Sequence, residues 1–278
     1  MAVEVQKKHA TVAGLRTYYW QAGDGPVLLM LHGQLPGSCV GVEWGDQVRR
    51  CAEAGFSVYA PDVPGFGQTD NPADFSIDTR IAHARAFADY FGFDRYSIWG
   101  SSMGSYMACA MALDDRRIHK LILNPSTLLP PQLPGVTPSA TPMPGTVSAA
   151  VHDFAPSLEN SRTMLKLVLK NPEAYSDELV QLFAKSWNEK NQAANRGRIA
   201  LGTPKPIHSE LSRLRNPALL LWGADDRSSV TERAVLMQRL IAGSELHVLS
   251  ACGHWPQVDQ RDRSRQIVTQ FLQAQTRE

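Results

Sequence analysis

Short apolar runs, separated by stretches with apolar residues at every third or fourth position, recur along most of the chain. The runs Thr17–Gln21, Val27–Leu31, Ser57–Ala60, Tyr96–Trp99, Lys120–Leu123, Ala218–Trp222 and Glu245–Leu249 predict strands. Several are almost wholly apolar, as strands buried on both faces are. Between them Ser76–Phe91, Ser102–Leu113, Val230–Ile241 and Asp262–Leu272 carry apolar residues at helical spacing. Strands alternating with helices predict an α/β fold, a mostly parallel sheet flanked by helices.

The alternation stops after Asn124. Seven prolines fall between Pro125 and Pro144, and proline continues neither a helix nor a central strand, so this stretch is an extended connection. Val147–His152, Ser161–Leu169, Ser176–Trp187 and Gln192–Ala200 then read as helices with no strand between them. The strand rhythm resumes near Pro217. Such an insertion, after the sixth core strand, is expected to form a cap over the carboxyl edge of the sheet, where open α/β sheets place their sites. The expected division is a core of residues 1–128 and 207–278 with a helical cap, or lid, of residues 129–206.

Composition narrows the partners. The 278 residues carry a formal net charge of +1 with 28 Lys and Arg against 27 Asp and Glu, so there is no basic excess to attract nucleic acid. No apolar run reaches the roughly 20 residues of a membrane helix, and Met1–Thr11 lacks a signal peptide's apolar segment. The expectation is a cytoplasmic protein acting on a small molecule, with no membrane partner and with a homo-oligomer left open. Cys39, Cys51, Cys109 and Cys252 are far apart and read as free thiols. With no phosphate-binding Gly loop and no ligand-spaced His/Cys/Asp cluster, neither a metal nor an organic cofactor is expected.

The chemistry is carried by loops that follow strands. Gly100-Ser101-Ser102-Met103-Gly104 joins a strand to a helix, the setting of a nucleophile elbow, whose glycines allow a sharp turn that exposes the central serine. Ser102 is therefore the candidate nucleophile. A serine hydroxyl needs a base, and the base needs a carboxylate to fix its tautomer. Asp226, in Gly223-Ala224-Asp225-Asp226 after a strand, is the candidate carboxylate, and the adjacent Asp225 reads as a turn residue. Only His247 and His254 lie downstream; His247 sits inside a strand-like run, so His254, on the loop beyond it, is the candidate base. The order Ser, Asp, His is that of α/β-hydrolases. The backbone N–H groups of Met103 and of Gln34, in His32-Gly33-Gln34-Leu35-Pro36-Gly37, are the candidate oxyanion donors. His32 precedes the nucleophile and is assigned to holding that loop.

These segments, with Asp62-Val63-Pro64-Gly65-Phe66-Gly67, resemble the α/β-hydrolase superfamily over essentially the whole chain. Within it, Pro36-Gly37, Asp225-Asp226-Arg227, Leu246-His247-Val248 and above all Trp255 after the histidine are similar to the meta-cleavage product hydrolases, which break a carbon–carbon bond in ring-opened catechol derivatives. The resemblance implies that His254 promotes ketonisation of a dienol substrate and that Ser102 then attacks, or activates water at, the ketone. Gly33, Leu35, Glu43, Ser101, Phe183, Trp187 and Trp255 are the residues expected to border the substrate, with Met164, Leu167, Val168 and Leu182 as further candidate lining.

Three positions depart from the family pattern. Ser101 and Glu43 stand where it has asparagines, and no cap arginine is matched between Ser176 and Lys190, where Lys185 is the nearest cation. An ionised Glu43 facing the pocket would repel a carboxylate, so the expected substrate is a related diketone or ester lacking that acid. The elbow serine sets the chain apart from the aspartate-dependent dehalogenases and epoxide hydrolases. A carboxylesterase or lactonase is the alternative reading, and a small-molecule receptor of the same fold a minor one.

Overall fold

Alternate side chains along the strand Val27–Leu31 enter two different cores. Leu29 and Leu31 join Ile98, Leu121, Leu123, Leu220 and Trp222 on one face of the sheet. Leu28 and Met30 join Trp99, Ile122, Leu219 and Leu221 on the other. The two-residue period of a strand divides them this way, and each fully buried Leu is worth about 1.5–3 kcal/mol relative to exposure. That is why these runs have no polar positions to spare.

The computed structural model describes residues 3–126, 155–174, 176–201 and 207–274. Its strands are β1 (Gln6–Val12), β2 (Leu15–Ala22), β3 (Val27–Leu31), β4 (Ser57–Pro61), β5 (Tyr96–Gly100), β6 (Ile118–Leu123), β7 (Ala218–Gly223) and β8 (Glu245–Leu249). They form one sheet in the order β1-β2-β4-β3-β5-β6-β7-β8. β3 to β8 run parallel, while β1 and β2 are antiparallel additions at one edge. β1 was not expected. Its sequence, Gln-Lys-Lys-His-Ala-Thr-Val, is mostly polar and exposed, as suits an edge strand that must not recruit another. It pairs with β2 through a tight turn in which Ala13 and Gly14 both have positive φ.

Helices α1 (Val40–Glu43) and α2 (Gly45–Glu53) follow β3, α3 (Ile77–Tyr90) follows β4, and α4 (Met103–Ala112) follows β5. Between β6 and β7 lie α5 (Leu158–Val168), α6 (Asp177–Ser186) and α7 (Glu189–Ala200). Ser157 and Ser176 cap the first two by accepting from the N–H groups of Asn160 and Leu179. The chain closes with α8 (Thr231–Leu240), α9 (Pro256–Asp259) and α10 (Arg261–Gln273). The predicted helix Val147–His152 and most of the proline-rich connection lie outside the described residues.

A third apolar cluster joins α5 and α6 to the loops beneath them. Met164, Leu165, Val168, Val180, Phe183 and Trp187 meet Cys39, Val42, Trp255 and Val258 there. The four cysteines are free and buried. Among the described residues no helix is long and apolar enough to cross a membrane.

Candidate active site

Register places the site. Leu31 pairs with Gly100 across β3 and β5, so His32-Gly33 leaves the sheet beside Ser101-Ser102. Ser102 has φ 54° and ψ −114°, a conformation that costs a residue with a Cβ about 1–3 kcal/mol and is kept where the surroundings over-determine it. The surroundings do so here. A Cβ on Gly104 would stand 2.0 Å from the carbonyl oxygen of Leu31, so α4 starts in near contact with β3. The Ser105 hydroxyl binds the carbonyls of Gly100 and Asn124 at 2.8 and 2.9 Å. Met103 opens the helix, and its N–H is one of the first-turn donors that a helix leaves without an internal acceptor.

Asp226 lies three residues beyond β7. One carboxylate oxygen accepts from the N–H groups of Ser228 and Ser229 at 2.7 and 3.1 Å. The other lies 2.8 Å from His254 Nδ1, and both side chains are buried. Nδ1 therefore carries the proton and leaves Nε2 to accept one. Burial pulls the His254 pKa down, but the charge and hydrogen bond of Asp226, with the charge of Glu43, outweigh it and raise the pKa above the ordinary imidazole value. His247, by contrast, is partly exposed near Glu245, and Asp225 is exposed with its N–H on the Cys252 carbonyl.

The loop after β3 is held from inside. His32 is fully buried, with its pKa pushed by burial down to about 4. Its neutral ring accepts from Val63 N–H at 2.8 Å through Nε2 and so donates from Nδ1 to the Gly33 carbonyl at 2.7 Å. Gly33 N–H donates to both oxygens of Glu43 at 3.0 and 3.1 Å, and Leu35 N–H donates to the Ser38 hydroxyl at 3.1 Å. Between them, Gln34 N–H has no protein acceptor among the described residues. The Gln34 side chain accepts from Arg80 Nη1 at 3.4 Å, and that guanidinium lies over the Phe66 ring.

Glu43 is where expectation and structure diverge. Glu43 is 1% exposed, and its carboxylate accepts from the Ser38 hydroxyl at 2.6 Å as well as from Gly33. Both oxygens are thus occupied by protein donors rather than aimed at an incoming carboxylate. Ser101 accepts from Gln257 Nε2 at 3.1 Å, Gln257 Oε1 accepts from Asn124 at 2.6 Å, and Asn124 Oδ1 accepts from the Trp99 indole at 3.0 Å. Ser38, Arg80, Asn124 and Gln257 were not singled out in the sequence. Arg80 and Asn124 are polar residues in or just after predicted elements, and Ser38 and Gln257 lie between predicted elements, where no local pattern marks them.

Residues 26–260 match the alpha/beta hydrolase fold family. The chain belongs to that family. Over 273 residues this hydrolase is 29% identical to a 2-hydroxy-6-oxononadienedioate/2-hydroxy-6-oxononatrienedioate hydrolase of Burkholderia vietnamiensis, spanning 93% of this chain and 91% of the relative. It is 28% identical to a 2-hydroxymuconate semialdehyde hydrolase of Pseudomonas putida, spanning 94% and 92%. A solved meta-cleavage product hydrolase from Pseudomonas fluorescens IP01 superposes with a TM-score of 0.82 at 25% identity, covering 95% of this chain and 97% of that one.

In this α/β-hydrolase the apolar residues expected at the substrate are packed into protein. Phe183 and Trp187 meet edge to face in the third cluster, with the Phe183 ring pressed against Gly37. Trp255 is fully buried in the same cluster, which Leu35 also touches. Of the further candidates, Met164 and Val168 belong to that cluster and Leu167 borders it, whereas Leu182 is exposed. Lys185 is exposed as well.

Proposed function

We propose that this protein is a serine hydrolase that cleaves a carbon–carbon bond in a ring-cleavage product or a related vinylogous diketone. The observation that carries the reading is the buried Asp226–His254 pair, 2.8 Å apart, at the same sheet edge as a serine held at positive φ. The curated relatives, named for hydrolysis of 2-hydroxy-6-oxo acids, supply the substrate class.

In this reading His254 Nε2 takes the enol proton of the substrate and returns it to carbon, giving the ketone. Ketonisation matters because a carbon–carbon bond breaks only when an adjoining carbonyl system can accept its electron pair. Ser102, its proton passing to His254, then attacks the far carbonyl carbon or activates a water there. The N–H groups of Gln34 and Met103 hold the resulting oxyanion, and Asp226 stabilises the imidazolium. The bond pair leaves with the dienolate fragment, which His254 reprotonates, and where Ser102 attacked directly a water deprotonated by His254 then hydrolyses the acyl ester on Ser102 and releases the acid. We read residues 129–206 as a lid on a core of 1–128 and 207–278, and the enzyme as cytoplasmic, alone or as a homo-oligomer.

The test is turnover of 2-hydroxy-6-oxo-2,4-heptadienoate and of p-nitrophenyl butyrate by wild type and Ser102→Ala. Serine-dependent dienoate cleavage well above ester cleavage is the expected result. Ester cleavage alone would transfer the protein to the carboxylesterases.

A further inference from the structure

Glu43 is a buried carboxylate whose oxygens are bonded to the loop that follows β3. Through Gly33 and Ser38 it grips the loop that carries Gln34, and that loop lies against the nucleophile. A Cβ built on Gly33 would lie 3.1 Å from Ser102 Cβ and 3.2 Å from Glu43 Oε1, so loop, elbow and carboxylate share one point of contact. Gly33 N–H is consumed by this grip, which leaves Gln34 N–H as the loop's donor toward an oxyanion.

We infer that Glu43 is a positioning residue, a carboxylate that holds the oxyanion loop at Gly33 and Ser38 against the elbow at Ser102 and adds a second negative charge to the surroundings of His254. The inference rests on the site assigned under the proposed function. Two consequences follow. The spacing between the Gln34 and Met103 donors depends on one buried side chain, and the imidazolium formed during the reaction is stabilised by Glu43 as well as by Asp226. Burial raises the Glu43 pKa, against the donors from Ser38 and Gly33 and the charge of His254, which favour the ionised form.

The groups that face Glu43 bear on any titration. His254, backed by Asp226, approaches from the loop after β8. Asp46 of α2, Glu178 of α6 and Arg261 of α10 line the cleft on the other side of α1, to which Glu43 also contributes. His32 spends both ring nitrogens on Val63 and Gly33.

Two variants separate charge from reach. Glu43→Gln keeps the shape and an accepting oxygen but removes the charge, while Glu43→Asp keeps the charge and shortens the reach by one methylene. The first readout is the His254 titration by NMR of protein labelled with 15N-histidine, assigned by the signal lost in His254→Gln. The midpoint is expected at lower pH in Glu43→Gln than in wild type. The second readout is kcat on 2-hydroxy-6-oxo-2,4-heptadienoate, expected to fall on the order of 10²-fold in Glu43→Asp, as misplacement by about 1 Å does. An unmoved His254 midpoint in folded Glu43→Gln, or wild-type kcat in Glu43→Asp, overturns the inference. If Glu43→Gln does not fold, Glu43→Asp decides alone. The NMR titration needs no substrate, so its failure touches only Glu43, whereas dienoate turnover that persists in Ser102→Ala sinks the site assignment itself.

Discussion

The backbone N–H of His254 donates to the carbonyl oxygen of Val168 at 2.7 Å, which ties the candidate base to the last residue of α5. Asp259 strengthens the tie, accepting from Gly253 N–H at 2.6 Å and from the N–H groups of Lys170 and Asn171 at 2.8 and 2.9 Å. The contact is so close that a Cβ on Gly253 would stand 2.3 Å from the Val168 oxygen. Gly253→Ala should therefore displace either the helix or the imidazole, lowering kcat by about 10²-fold and stability by about 1–3 kcal/mol. Dienoate kinetics and a thermal melt check both, and wild-type kcat would refute the coupling.

Backbone strain at Ser102 should be measurable without activity. Ser102→Ala retains a Cβ at φ 54°, whereas Ser102→Gly does not, and relief of that strain is worth about 1 kcal/mol even after the entropy cost of glycine. Both variants should lose dienoate turnover by orders of magnitude, with Ser102→Gly melting above Ser102→Ala. Equal melting temperatures would mean the elbow is unstrained.

The raised pKa of His254 sets a direction for the pH profile. A base must be neutral to accept a proton, so kcat/KM should fall on the acid side with a midpoint above the ordinary imidazole value of 6.5. Asp226→Asn should shift that limb to lower pH and reduce kcat by roughly 10⁴-fold, because the amide no longer fixes the tautomer. A limb unchanged in Asp226→Asn would assign it to another group.

His32 predicts the acid stability. Its folded pKa is held at about 4 against 6.5 when unfolded, so between these values the unfolded chain binds more protons. The stability due to a neutral His32 is thus full above pH 6.5 and is lost as pH falls toward 4, by on the order of 3 kcal/mol. Urea titrations from pH 7 to 4 should show this fall in wild type and a shallower one in His32→Asn.

What the sequence disclosed followed from local rules. Leu28–Leu31 and Leu219–Trp222 announce buried parallel strands because both faces need apolar side chains, and Ser102, Asp226 and His254 could be singled out because each lies in a loop that follows a predicted strand. β1 was hidden because an edge strand with Lys7 and Lys8 has no apolar signature. The direction of the Glu43 carboxylate was hidden too. Its partner Gly33 is set beside Ser102 by the β3–β5 register, and Gln257 reaches Ser101 from 156 positions away, a meeting that no local pattern encodes.

The third apolar cluster shares no residue with the two that hold the sheet. A helical layer in place of α5 and α6 would need to match the patch of Cys39, Val42, Trp255 and Val258, the seat at Gly37 and the bonds made by Gly253, His254 and Asp259. Evolution can thus exchange these helices and leave the sheet untouched, one floor under interchangeable roofs.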